Sequence, residues 1–279
     1  ILMIATLGLT YQGIAQEKYV VSALTALQSK NFDEAKEDID KAMADPATKE
    51  KPKALFAKAQ VYGALQLTDK YKAGNPYKEA IQALIKLNDV KPDYEKATVD
   101  QLLMMGAYLS FNDGAKAYND KKYAESAEYM QTVVKIHDMG GGKRFEKNKQ
   151  FDTIAADANL SIANSAYYGG KFDDAIPLLL KVKKEGLRMN PSVYECLIDA
   201  YNRKKDNASA LATIEEARKK YPEDVTIRNY ELNYYIQAGK LDDLVKKLED
   251  ASVKEPMNAD IVFNIATTYL TLSNPKDGK

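Results

Sequence analysis

The sequence predicts an all-α fold built from stacked pairs of helices, and three observations lead to this class. Residues recur with a period of 34 between Tyr201 and Pro256. The matching pairs are Tyr201 with Tyr235, Ala210 with Leu244, Ile214 with Leu248, Ala217 with Ala251, and Pro222 with Pro256. Within each copy, apolar residues follow one another at spacings of three or four, as on one face of a helix. Gly and Pro separate these stretches. A fixed period near this length is typical of helix–turn–helix arrays, in which each pair needs its neighbours to bury its apolar face.

The last full copy shows how one helix pair is specified. Its first helix is predicted over Val225–Gln237, with Leu232 and Tyr235 on the apolar side. Gly239 follows, where a left-handed residue commonly ends a helix. Asp242 and Asp243 open the second helix, because carboxylates are favoured at the positive end of a helix dipole.

Earlier copies repeat this arrangement with longer spacing. A small or apolar residue begins each second helix at an equivalent position: Ala35, Ala80, Ser126, Ala175, Ala210 and Leu244. The turns between paired helices are expected at Asn31, Lys121, Gly170, Asp206 and Gly239. The early copies therefore contain insertions, one of which is Thr68–Pro76. Gly74–Pro76, at the end of this insertion, is predicted to be a loop. A seventh first helix is predicted over Ala259–Leu272.

These residues and their period resemble the tetratricopeptide repeat (TPR) family. The resemblance implies an α-α superhelix, a TPR solenoid of about six helix–turn–helix repeats plus a seventh first helix. We assign residues 16–136 to repeats with insertions and residues 151–279 to regular repeats. Residues 137–150 form a Gly- and Lys-rich linker, which we expect to be a flexible surface loop.

The first fifteen residues, Ile1–Ala15, are apolar and uncharged. Gly13 and Ala15 place small residues where a signal peptidase cuts, so we predict the remnant of a secretory signal peptide. An additional amphipathic cap helix is the alternative. With a signal, the protein is expected to be exported, either periplasmic or associated with the outer membrane of a Gram-negative bacterium.

Composition limits the chemistry. Forty basic and forty acidic residues give a formal net charge of zero, which argues against nucleic acid and anionic membranes as partners. Cys196 is the one cysteine and His137 the one histidine, so no disulfide framework is expected. Gly140–Lys143 lacks the spacing and the Ser or Thr of a phosphate-binding loop. We therefore predict no catalytic residue, no metal, no cofactor and no enzymatic activity.

The resemblance also implies a ligand surface on the concave side of the array, formed by the first helices of the repeats. The candidate residues are Asn164, Tyr167, Tyr168, Asp199, Asn202, Arg203, Asn229, Tyr230, Asn233, Gln237 and Asn264. Asn164, Asn233 and Asn264 occupy positions at which peptide-gripping members use Asn to bond a peptide backbone. Leu160 and Asn229 stand where a clamp for a C-terminal carboxylate has Lys, so that clamp is not expected. The alternative is that these are solvated polar residues without a ligand.

Two functions follow as expectations. The first is a non-catalytic protein–protein interaction scaffold of the bacterial envelope that binds a peptide segment or a protein surface on its concave face. The second is a solute-binding component, for glycans, of an outer-membrane uptake system. Relatives of that second class have a lipid-anchoring cysteine and long insertions outside the repeats, neither of which is present in this sequence. The identity of the partner and the oligomeric state stay open.

Overall fold

The structure, a computed structural model, describes residues 17–273, and these residues contain fourteen helices and no β-strand. The helices are α1 (residues 17–28), α2 (Phe32–Ala44), α3 (Pro52–Leu65), α4 (Asp69–Lys72), α5 (Tyr77–Val90), α6 (Lys96–Asn119), α7 (Tyr123–His137), α8 (Lys149–Tyr168), α9 (Phe172–Glu185), α10 (Pro191–Arg203), α11 (Asn207–Lys220), α12 (Val225–Gln237), α13 (Leu241–Lys254) and α14 (Ala259–Ser273). The predicted all-α class is confirmed. The predicted signal segment Ile1–Ala15 lies outside the described residues.

Five hairpin turns share one backbone geometry. Each contains a residue in the left-handed region, at φ between 59° and 75°: Lys30, Lys121, Gly170, Lys205 and Gly239. The next residue then donates its N–H to a carbonyl five positions earlier, as Asp206 does to Tyr201 and Lys240 to Tyr235, both over 2.9 Å. This pairing satisfies carbonyl groups at the end of the first helix. The five predicted turn positions are confirmed.

The chain divides into two compact units. The first comprises the described residues up to Lys116 together with Glu128–Asp152. In it, α3 packs against α2 and α5, and fully buried side chains such as Ile39, Leu55 and Leu84 fill the space between helices.

The second unit comprises Ala117–Ala127 and the described residues from Thr153 onward. In it, α10 packs against α9, α11 and α12. Leu179, Cys196 and Leu197 belong to one buried apolar cluster, and Ile198 and Ile214 belong to the next. The first helix α10 therefore contacts α11, the second helix of its own repeat, and also α9 and α12 of the two neighbouring repeats, as the repeat pattern predicts.

The equivalent positions in the first turn of the second helices are all buried, as expected for sites at which paired helices approach closely. They are Ala35, Ala80, Ser126, Ala175, Ala210 and Leu244. Helix α12 has the predicted bounds, but its buried face differs from the predicted one. Ile227 and Glu231 are buried, whereas Leu232 and Tyr235 are half-buried. Glu231 can occupy this position because Arg218 of α11 and Lys247 of α13 both contact its carboxylate, at 3.0 and 2.8 Å.

The segment between α7 and α8 is mostly exposed, as the sequence predicts, but Arg144 and Phe145 pack against the helices. The Arg144 side chain is only 5% exposed, and its Nε lies 2.5 Å from the Asp100 carboxylate. Its Nη1 donates to Asn88 and to the carbonyl of Pro92. Phe145 is buried as well. The glycines allow a tight turn, but the residues after them anchor the segment to the helices. The insertion Thr68–Pro76 contains the one-turn helix α4, and the predicted loop Gly74–Pro76 leads from α4 to α5.

Candidate functional site

The predicted ligand residues are distributed over the first helices of four consecutive repeats in the second unit. Asn164, Tyr167 and Tyr168 lie on α8; Asp199, Asn202 and Arg203 on α10; Asn229, Tyr230, Asn233 and Gln237 on α12; Asn264 on α14. The structure places them in three groups and one aromatic patch, and Asn164 belongs to none of these.

The first group lines a cavity of about 330 Å³ between α10, α11 and α12. We call it the amide pocket, and its lining residues are Asn202, Asn207, Tyr230, Asn233, Tyr234, Gln237 and Ala238. Four of these were predicted. Asn207 and Tyr234 were not among the predicted residues, and Asn207 belongs to a second helix. The pocket thus presents four side-chain amides and two phenol rings.

The second group is a hydrogen-bonded network that joins α8 to α10. The Tyr167 hydroxyl donates to Oδ2 of Asp199 over 2.8 Å, and Nε of Arg203 donates to the same oxygen over 2.6 Å. Burial raises the pKa of Tyr167, and the adjacent Asp199 carboxylate raises it further. The hydrogen bond to Asp199 also raises the pKa of Arg203. The guanidinium lies 5.2 Å from the centre of the Phe172 ring. Tyr167 and Arg203 are therefore held in fixed positions.

Tyr168 belongs to an aromatic patch, which we define as Tyr118, Tyr123, Tyr167 and Tyr168. Tyr123 and Tyr168 stack with their centroids 5.9 Å apart, and Tyr118 meets both of them edge-on. Tyr168 is 54% exposed. Burial raises the pKa of Tyr118 to about 12. The sequence did not indicate Tyr118 and Tyr123 as surface residues, because both fill regular repeat positions.

Asn229 and Asn264 form the third group, away from the amide pocket. They line a mainly apolar cavity of about 230 Å³ between α12, α13 and α14, with Leu244 and Phe263 among its other walls. Asn264 is only 6% exposed. Asn164 is half-buried on α8 and lines neither cavity. The three asparagines that the family resemblance aligned therefore have three different surroundings.

The remaining chemical candidates have ordinary structural positions. Cys196 is 5% exposed, and burial raises the pKa of its thiol to about 11, so the thiolate form is scarce at neutral pH. His137 ends α7, and Nδ1 of its ring lies 2.8 Å from the Asp138 carboxylate. Within residues 17–273, no group of three His, Cys, Asp or Glu side chains is arranged to hold a metal ion. No helix of that range is long and apolar enough to cross a bilayer.

Comparison with solved structures gives distant similarities. PilF of Pseudomonas aeruginosa is 15% identical, with 91% of this chain and 97% of that one covered and a TM-score of 0.35. PilW, described as a type IV pilus biogenesis factor, is 13% identical, with 89% and 97% covered and a TM-score of 0.39. A tetratricopeptide repeat protein of Parabacteroides merdae is 13% identical, with 91% and 98% covered and a TM-score of 0.34. Scores at this level carry no functional argument.

No curated protein matches the sequence significantly. The sequence model described as tetratricopeptide repeat matches residues 160–225, which include parts of α8 and α12 and the three helices between them. The match overlaps the start of the regularly spaced copies and includes Asn202 and Asn207 of the amide pocket. Residues 160–225 of the chain are therefore similar to tetratricopeptide repeats.

Proposed function

We propose that the protein is a non-catalytic scaffold that binds a peptide segment or a protein surface along α8, α10 and α12. The candidate surface consists of Tyr167, Tyr168, Asp199, Asn202, Arg203, Tyr230, Asn233 and Gln237. This is the side of the first helices that is concave in the family, and concave surfaces of solenoids are their usual binding surfaces.

The amide pocket is the observation that carries this proposal. Asn202, Asn207, Asn233 and Gln237 each offer an N–H donor and a carbonyl acceptor within one cavity. The main chain of an extended segment presents the same two groups at every residue, so side-chain amides can bond it without requiring a particular sequence. The volume of about 330 Å³ lies within the range of pockets that bind ligands.

The surroundings of the pocket also suit protein binding. Tyr230 and Tyr234 pack against a buried cluster that includes Tyr194 and Ile198, so their rings are supported from behind. Fixed tyrosines provide large contact areas at low entropic cost, with a hydroxyl that can also form hydrogen bonds. Asp199 of α10 holds Tyr167 of the neighbouring first helix, α8, and Arg203 of its own helix.

The proposal is tested by comparing two double variants in affinity capture from an envelope extract. Asn202→Ala with Asn233→Ala removes two amides of the pocket. Gln101→Ala with Gln131→Ala removes two amides that are exposed on α6 and α7 and serves as the matched control. We expect the pocket variant to lose the partners that the wild type and the control retain. Equal recovery of every partner by the pocket variant contradicts the proposal.

Asn264 is not a suitable position for testing the amide pocket. The family resemblance gives Asn264 and Asn233 the same expected role, but Asn264 is buried beside the apolar cavity. Replacing Asn264 therefore alters the packing of α14 and does not report on the amide pocket.

We further propose that the protein is exported and acts in the bacterial envelope. The apolar, uncharged character of Ile1–Ala15 and its small residues Gly13 and Ala15 support this location. Fractionation of cells that express the full chain, with and without these residues, tests it. Recovery of both forms in the cytosol contradicts the location. No observation favours the glycan-binding alternative.

A further inference from the structure

One carboxylate beside the candidate surface has no partner in the described part of the chain. Glu195 lies on α10, one turn before Asp199 and on the same face. Its side chain is half-buried, yet between residues 17 and 273 it makes no hydrogen bond, and no Lys, Arg or His nitrogen lies within 4.0 Å of it. Asp199, by contrast, is bound by both Tyr167 and Arg203.

The surroundings of Glu195 are aromatic and acidic. Tyr168 lies on α8 and Tyr230 on α12, the first helices on either side of α10, and the charge of Glu195 contributes to the raised pKa values of both phenols. Burial raises the pKa of Glu195 itself, and the negative charge of Asp224 adds to that effect. A half-buried carboxylate that has lost water without gaining a hydrogen-bond donor is destabilised in the free protein.

Two features of this place favour a positive charge. A cation placed against Glu195 gains a charge-assisted hydrogen bond and also relieves the repulsion from Asp224. The faces of tyrosine rings attract cations as well, and the exposed Tyr168 ring is accessible to a bound molecule. The same chain already shows this contact, with Arg203 over Phe172 and Arg228 over Phe263. Neither of these guanidinium groups pairs with Glu195.

We propose that Glu195, flanked by Tyr168 and Tyr230, receives a lysine or arginine side chain of the bound segment. This inference rests on the proposed function, because the segment must lie along α8, α10 and α12 for its side chain to reach Glu195. The partner is accordingly a protein with a basic residue in the bound stretch. The amide pocket holds the main chain, and Glu195 selects a side chain.

The test uses the full chain, with tyrosine rings labelled for NMR, and four acetylated and amidated pentapeptides. The peptides share the sequence Ala-Ser-X-Ser-Ala, where X is Arg, Lys, Gln or Glu. We expect the Arg and Lys peptides to shift the Tyr168 and Tyr230 signals in a saturable way. The Gln peptide is expected to bind roughly fivefold more weakly, the loss that one charge-assisted hydrogen bond implies, and the Glu peptide more weakly still.

Two variants and a control locate the preference. Glu195→Gln keeps the shape of the side chain and is expected to bind the Arg and Gln peptides equally. Tyr168→Leu is expected to weaken the Arg peptide more than the Gln peptide. Glu215→Gln removes an exposed charge from α11 and is expected to retain the wild-type preference. Circular dichroism shows whether each variant is folded.

The possible outcomes separate the two proposals. Binding of all four peptides with equal affinity overturns the inference about Glu195 and leaves the candidate surface in place. Retention of the Arg preference in Glu195→Gln also overturns it. Binding of none of the peptides counts against the candidate surface and against the inference together.

Discussion

Tyr167 and Asp199 connect the first helices of two successive repeats: the hydroxyl of Tyr167 donates to Oδ2 of Asp199 over 2.8 Å. The two residues are 32 positions apart, about one repeat. The Tyr167 side chain of one repeat thus fixes the position of the Asp199 carboxylate in the next repeat. Because Asp199 also holds Arg203, this single carboxylate positions both an aromatic and a cationic member of the candidate surface.

The first prediction concerns this hydrogen bond. Tyr167→Phe removes the donor and leaves the ring in place, so we expect the free energy of unfolding to fall by about 1 kcal/mol. Tyr168→Phe is the matched control, since the hydroxyl of Tyr168 has no hydrogen-bond partner in the described part of the chain. Urea denaturation of both variants measures the difference. An equal effect of the two substitutions contradicts the role of Asp199 as an acceptor for Tyr167.

The second prediction concerns the buried charge of α12. Glu231 is 5% exposed and contacts Arg218 and Lys247. Glu231→Gln leaves the largely buried Arg218 without its carboxylate partner, and we expect a loss of about 2 kcal/mol in the free energy of unfolding.

Lys247→Met provides the comparison for Glu231. The Lys247 side chain is 45% exposed, and Arg218 still compensates the carboxylate in this variant. We expect a loss of no more than about 1 kcal/mol. Thermal or chemical denaturation ranks the two variants. If Lys247→Met proves the more destabilising, Glu231 is not the centre of this ion pair.

The third prediction concerns the hairpin turns. Lys205 has a φ of 60°, at the position where Gly170 and Gly239 stand in the neighbouring repeats. An L residue with a side chain is strained there, so Lys205→Gly is expected to raise the free energy of unfolding by roughly 0.5 kcal/mol or more. Lys204 precedes it at a φ of −83°. Lys204→Gly, measured in the same way, is expected to bring no gain, and a gain there would contradict the argument from backbone strain.

The fourth prediction concerns pH. Glu216 of α11 accepts hydrogen bonds from Lys183 and Tyr194, and the bond from Lys183 is the main cause of its lowered pKa. Because the pKa of Glu216 is lower in the folded state than in the unfolded state, its ionised carboxylate stabilises the fold. This contribution is present in full above the unfolded-state pKa near 4.5, and it is lost as the pH falls through the folded-state pKa.

The pH effect is checked with Glu216→Gln. We expect the wild type to exceed this variant in free energy of unfolding at pH 7, by a margin that shrinks at about pH 3. Urea denaturation at both values measures the margin. A margin that is the same at both values contradicts the assigned electrostatic contribution of Glu216.

Much of the fold could be predicted because the signals are local. The bounds of α12 follow from its apolar spacing and from the residues at its ends, Asp224 and Gly239. The turn at Lys121 was predictable from its position in the repeat, although Lys seldom adopts a positive φ. These features depend on residues a few positions apart.

The site was predicted only in part, because its geometry depends on contacts between distant residues. Asn264 and Thr268 are both buried and four positions apart, so the sequence does place them on one face of α14. It does not show that this face is turned toward α12 and α13. Arg144 was assigned to a loop because the partner that anchors it, Asp100, is 44 residues away.

The central claim is that α10 and α12 contact a protein partner through the amide pocket. Site-specific photocrosslinking tests this most directly, with p-benzoylphenylalanine placed in turn at positions 202, 233 and 101 of the full chain in intact cells. Positions 202 and 233 line the pocket, and position 101 is exposed on α6. We predict a common crosslinked protein at positions 202 and 233 that is absent at position 101. Crosslinking at none of the three, or equally at all three, would contradict the claim.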